Sequence, residues 1–113
     1  MNKIFINKKD IIRINQEFSD GSLQNESSLD YAISTLKYRK SWLYELSQLV
    51  RALLLDHTFR DGNKRTALAL LLLYLEEKNI RYDEERLLKT IEKITRKNIN
   101  NINRIMELIK DAY

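Results

Sequence analysis

The sequence predicts an all-α fold, a compact bundle of about six helices around one central apolar helix. Three observations carry this. The chain has no proline and only two glycines, Gly21 and Gly62, so long helices meet few interruptions. Apolar residues recur at three- and four-residue spacing through most of the chain. The run Ala67 to Leu75 is apolar without a break, too short to span a bilayer but suited to a buried helix. A length of 113 residues corresponds to a single domain, residues 1–113, with room for one core.

Each element has its own signal. Ile4, Phe5 and Ile6 make a short apolar lead-in, and Asn7 with Asp10 three residues on reads as an N-cap. Ile11, Ile12 and Ile14 then give a helix an apolar face up to about Phe18. Ser19-Asp20-Gly21-Ser22 is a turn cluster, and polar residues continue to Ser28, the longest loop expected and a mobile one. Ser27 with Asp30 resembles a capping box, and Leu29, Ile33 and Leu36 follow at helical spacing. Lys37 to Ser41 is a basic, irregular connector around Tyr38. The next helix is predicted from Trp42 to Asp56, with Leu46, Leu49, Val50, Leu53 and Leu54 as its apolar stripe. The most apolar helix is expected from about Asn63 to Lys78, central to the bundle, with Asn79 closing it as a left-handed residue. Asp83 caps a further helix whose Leu87, Leu88, Ile91 and Ile94 are expected inside. Asn98, Asn100 and Asn101 interrupt the pattern before a last helix built on Ile102, Ile105, Met106 and Ile109.

Composition narrows the function classes. No cysteine is present, so disulfides and thiolate metal sites are excluded. No segment stays apolar over about 18 residues, and Met1 to Asp10 lacks a long apolar core, so a cytoplasmic protein without a membrane partner is expected. Twenty Lys+Arg against sixteen Asp+Glu leave a net charge of +4, spread along the chain. That mild excess, without aromatic residues interleaved among basic ones, argues against a nucleic-acid partner.

One stretch crowds chemistry together: His57-Thr58-Phe59-Arg60-Asp61-Gly62-Asn63-Lys64-Arg65-Thr66. Taken singly these residues are ordinary. A lone histidine is usually a structural hydrogen-bonding group, an acid at a helix start a dipole partner, a Lys-Arg pair a solvated surface. Phe59 reads as a core anchor that pins the loop. The combination changes the reading. A helix starting at Asn63 presents unpaired N–H groups and a positive dipole end, and Gly62, without a Cβ, lets a ligand approach them. Lys64 and Arg65 add charge, Arg65 as a bidentate fork, and Asn63 offers an amide to orient a phosphate. Asp61 at the lip of a phosphate site reads as a Mg²⁺ ligand, because that ion takes few carboxylates and fills its shell with phosphate oxygens and water. His57 stands as a base for an incoming hydroxyl. These are the parts of a phosphoryl- or nucleotidyl-transfer site. A P-loop is excluded by spacing, and a zinc site by the lack of a second histidine.

The decamer resembles the signature of the Fic/Doc family, H-x-F-x-[DE]-G-N-x-R, with His57, Phe59, Asp61, Gly62, Asn63 and Arg65 in place. Ser28-Leu29-Asp30-Tyr31-Ala32-Ile33 looks like the family's upstream helix, so the resemblance covers essentially the whole chain. It implies His57 as base, Asp61 on Mg²⁺, and Asn63, Lys64 and Arg65 at the phosphates of ATP. It also implies a flap that lays target backbone across the site, falling here on Lys37, Tyr38, Arg39, Lys40, Ser41, Trp42 and Leu43.

Two departures point to a subtype. Family members that transfer AMP carry glycine where this chain has Lys64, and a second arginine where it has Leu68. Both changes resemble the Doc branch, the toxins of toxin–antitoxin pairs, in which ATP is bound in the reverse sense and its γ-phosphate is transferred, elongation factor Tu being the known target. The alternatives are AMP transfer to a protein hydroxyl and a nucleotide-binding module without chemistry. Gly62 stands where Doc proteins often have alanine. Thr58 replaces the usual proline, which implies a slightly less rigid loop. The family's self-inhibitory pattern, [ST]-x-x-x-E-[GN], is approached only by Ser22 to Ser27, in an expected loop, so inhibition is assigned to a separate antitoxin chain.

Overall fold

The computed structural model describes residues 6–38 and 41–113. Six α-helices follow one another: α1 Lys8–Asn15, α2 Glu26–Ser34, α3 Trp42–Leu54, α4 Asn63–Glu77, α5 Glu84–Arg96 and α6 Ile102–Asp111, with a 3₁₀ turn at Thr35–Tyr38. No strand occurs among the described residues, and a single antiparallel bridge joins Leu23 to Phe59. No helix is long and apolar enough to cross a membrane among those residues.

Helix starts follow the cap chemistry of the sequence. Asn7 and Asp10 close a reciprocal capping box on α1, and Ser41, Asp83 and Asn101 cap α3, α5 and α6. The cap of α2 is Asn25, not Ser27: the Asn25 side chain accepts from the Ser28 N–H at 3.3 Å. A cap needs its side chain two or three residues ahead of the open N–H groups, and with the helix beginning at Glu26 only Asn25 has that position. Two helix ends use asparagine in the left-handed region. Asn79 (φ 57°) ends α4, with the Ile80 N–H donating to Leu75 O at 2.9 Å. Asn98 (φ 49°) ends α5 in the same way, with Ile99 N–H on Ile94 O at 3.0 Å.

The core is one continuous cluster with contributions from all six helices. The radius of gyration, 12.8 Å, is close to the ~13 Å expected of one compact body of this length. Its centre is α3, not α4. Nine of the thirteen residues of α3 are buried against six of fifteen in α4, and α3 packs on α2, α4, α5 and α6. The leucine run of α4 exceeds the neighbours available to it, so Leu73 remains 39% exposed. Leu88 of α5 is likewise 39% exposed, while Leu108, absent from the expected stripe of α6, is buried.

Further boundaries differ from expectation. α1 stops at Asn15, three residues before Phe18, and α3 stops at Leu54. The loop after α1 is tied down: Gln24 and Asn25 N–H donate to Thr58 O at 2.8 and 3.1 Å, and Arg60 N–H donates to Ser22 O at 3.0 Å. Ile4 and Phe5 of the lead-in, and Arg39 and Lys40 of the connector, lie outside the described residues.

Candidate functional site

The loop between α3 and α4 is held by its own residues. Phe59 is fully buried and anchors it, as expected. Thr58 is a clamp rather than a weakness: its buried hydroxyl donates to Ala52 O at 3.0 Å and lies 3.2 Å from Ser28 Oγ. Its carbonyl takes the two N–H groups of residues 24 and 25. Asn63 clasps the loop with both ends of its amide, Oδ1 accepting from Phe59 N–H at 2.9 Å and Nδ2 donating to Phe59 O at 2.8 Å. Asn63 therefore acts on the loop first, and offers a ligand its backbone and one remaining amide hydrogen. His57 holds φ 51°, in the left-handed region that few non-glycine residues adopt, histidine, asparagine and aspartate more often than the rest.

Gly62 is the N-cap of α4, with φ 80° and no side chain to cap the helix. The other five α-helices all have a side-chain cap, so α4 alone leaves its first-turn N–H groups without one. The missing Cβ is explained by packing as well as by ligand access. A Cβ at position 62 would meet Asn15 Nδ2 at 2.9 Å, with Ser19 and Phe18 Cβ atoms at 3.4 and 3.7 Å.

Asn15 is the residue that the sequence reading missed. It is fully buried on α1 and binds three segments: Nδ2 donates to Asp61 O at 2.9 Å and to Thr66 Oγ1 at 3.1 Å, while Oδ1 accepts from Gly21 N–H at 2.9 Å. Thr66 Oγ1 in turn donates to Gly62 O at 2.8 Å. A polar residue four places after the buried Ile11, on the inward face of a helix, was the available signal.

These supports frame a cleft of about 440 Å³ lined by Phe18, Leu54, His57, Arg60, Asp61, Gly62, Asn63, Lys64, Arg65 and Thr95. All six expected base, metal and phosphate residues are thus in one place. His57, Asp61, Lys64 and Arg65 are exposed, and among the described residues no hydrogen bond or ion pair engages their side chains. Three cations, Arg60, Lys64 and Arg65, face one acid, Asp61, so the cleft is electropositive. Phe18, Leu54 and Thr95 come from α1's exit, α3 and α5; nothing in their local sequence marks them.

The described residues of the expected flap do not line the cleft. Lys37 and Tyr38 lie in the 3₁₀ turn, and Ser41, Trp42 and Leu43 open α3, at the end opposite to His57. Thirteen helical residues separate those ends by ~20 Å. Trp42 instead packs against Tyr113, ring centroids 6.1 Å apart. The backbone that runs beside the loop is 22–25, as the Leu23–Phe59 bridge shows. Glu26, the acid of the near-match to the inhibitory pattern, starts α2 and pairs with Lys8.

The described residues contain no group of three His, Cys, Asp or Glu side chains able to enclose a metal ion. A single exposed carboxylate, Asp61, beside an electropositive helix start fits Mg²⁺ that arrives with phosphate oxygens and water. No family model, curated protein or solved structure matches this chain.

Proposed function

We propose that the chain is a Doc-like phosphotransferase that moves the γ-phosphate of Mg²⁺-bound ATP to a hydroxyl of a target protein. The resemblance nominates elongation factor Tu as the acceptor, so that translation in the cytoplasm stops, and a separate antitoxin as the inhibitor. One observation carries the reading. An exposed imidazole, an exposed carboxylate and an uncapped cationic helix start line one open cleft, their side chains free of protein partners among the described residues.

In this scheme the first-turn N–H groups of α4, with Lys64 and Arg65, hold phosphate oxygens. Asp61 holds Mg²⁺, which when bound offsets charge on the phosphates. The acceptor oxygen bonds to the γ-phosphorus as His57 takes its proton; the bond from that phosphorus to the β,γ-bridging oxygen breaks, and ADP leaves. Leu68 is half-buried and supplies no second cation of the kind AMP-transferring relatives carry, which favours phosphate over AMP transfer.

The test is transfer of label to purified elongation factor Tu. Label from γ-labelled ATP and none from α-labelled ATP is expected, and His57→Ala should abolish it with helicity unchanged. Transfer from the α position would replace this reading by AMP transfer. ATP binding without transfer to any protein, with growth unaffected by expression, would leave a binding module.

A further inference from the structure

The polar residues of the cleft account for the phosphates of a nucleotide but not for its base. What remains of the lining is Phe18, Leu54 and Thr95. Leu54 is buried, and the Thr95 hydroxyl donates to Ile91 O at 2.9 Å. Phe18 differs from both. It is 37% exposed, and among the described residues no ring stacks on it and no cation lies over it.

Its backbone is held in place although its side chain is partly exposed. The Phe18 N–H donates to Asn15 O at 2.9 Å, and Ser19 N–H donates to the same oxygen at 2.8 Å. Asn15 is also the residue that grips Asp61 O and Thr66, so the backbone of Phe18 is tied to the phosphate end of the cleft through one side chain. The Phe18 Cβ lies 3.7 Å from where a Cβ of residue 62 would stand, beside the start of α4. A partly exposed phenyl ring lining the cleft there offers a flat apolar surface within a nucleotide's length of the helix tip. Aromatic rings bind bases through the π-face, and a ring whose backbone is already ordered loses little freedom on doing so.

Resting on the nucleotide reading above, we infer that Phe18 is the stacking platform for the nucleobase, and so the residue by which the cleft distinguishes a nucleoside triphosphate from bare triphosphate. Leu54 adds a second apolar residue to the same lining.

The experiment compares Mg²⁺-ATP with Mg²⁺-tripolyphosphate by calorimetric titration of the wild type and three variants. Phe18→Ala and Phe18→Leu are expected to weaken ATP roughly ten-fold while leaving tripolyphosphate unchanged, and Phe18→Trp to restore ATP binding. Phe18→Leu keeps apolar bulk without a π-face, which separates stacking from simple coverage, and circular dichroism checks each fold. Full ATP affinity in Phe18→Ala, or an equal loss for both ligands, would overturn the inference while leaving the phosphate site standing. A wild type that binds neither ligand would bring down both readings together.

Discussion

The side-chain amide of Asn15 donates at 2.9 Å to the backbone carbonyl of Asp61, joining residues 46 positions apart. Through it the end of α1 fixes the acid of the cleft and, by way of Thr66, the first turn of α4. Removing the amide leaves the Asp61 carbonyl and the Gly21 N–H without that partner at partly buried positions, and takes a buried donor from the Thr66 hydroxyl. Asn15→Ala is therefore expected to cost roughly 2–3 kcal/mol. Asn15→Asp keeps the acceptor for Gly21 but loses both donors, and should also destabilise. Urea unfolding checks both, with the denaturant slope unchanged if only the folded state is weakened.

Gly62 answers to two demands at once, a φ of 80° and a contact with Asn15 that leaves no room for a Cβ. Gly62→Ala should cost about 2 kcal/mol, half from the backbone and half from the 2.9 Å approach to Asn15 Nδ2. In an Asn15→Ala background the second half vanishes. A double-mutant cycle is expected to show coupling of about 1 kcal/mol, and strict additivity would refute the packing explanation.

His57 is exposed yet held at φ 51°, so its backbone carries strain that its side chain does nothing to relieve. His57→Gly should raise stability by ~0.5 kcal/mol and His57→Ala should change it little. Both should lose transfer activity. A thermal melt alongside a phosphotransfer assay measures the two effects separately, and a marked loss of stability in His57→Gly would show that the imidazole is structural.

Tyr74 of α4 is buried, and desolvation first, then the buried Glu45 of α3, hold its phenol well above the usual tyrosine range. The unfolded chain ionises near the ordinary value of 10 while the folded phenol stays neutral, so the unfolded state binds fewer protons above that pH. Stability is complete below pH 10 and falls as pH rises beyond it. Tyr74→Phe should flatten that alkaline loss, read from unfolding midpoints between pH 8 and about 11.

The helices were legible because their signals are local. A cap lies two or three residues from the N–H it accepts, and an apolar stripe repeats within one turn; Asn7 and Asp83 cap where their spacing places them, while Ser41 and Asn101, read as a connector and an interruption, also turn out to be caps. Asn25 escaped because Ser27, two residues on, offers an equally good local pattern with Asp30. The decamer was legible as a group because its residues are consecutive, so a loop followed by a helix brings His57, Asp61 and the Gly62–Arg65 tip to one cleft wall. The flap came from the family resemblance, and a helix running from Trp42 towards Asp56 already sets residues 37–43 at its start and His57 beyond its end.

By itself the sequence determined six helical segments, the caps Asn7 and Asp83, and a chemically dense stretch at the head of α4. These depend on contacts within a few residues. Tertiary packing decided that α3 and not the leucine-rich α4 lies at the centre, since burial depends on how many neighbours a helix meets and not on how apolar it is. Packing also made Asn15 the bolt between α1 and the cleft, and brought Phe18 and Thr95 to the cleft from separate parts of the chain. No local pattern encodes such contacts, because they form only when a buried amide meets a carbonyl 46 residues away.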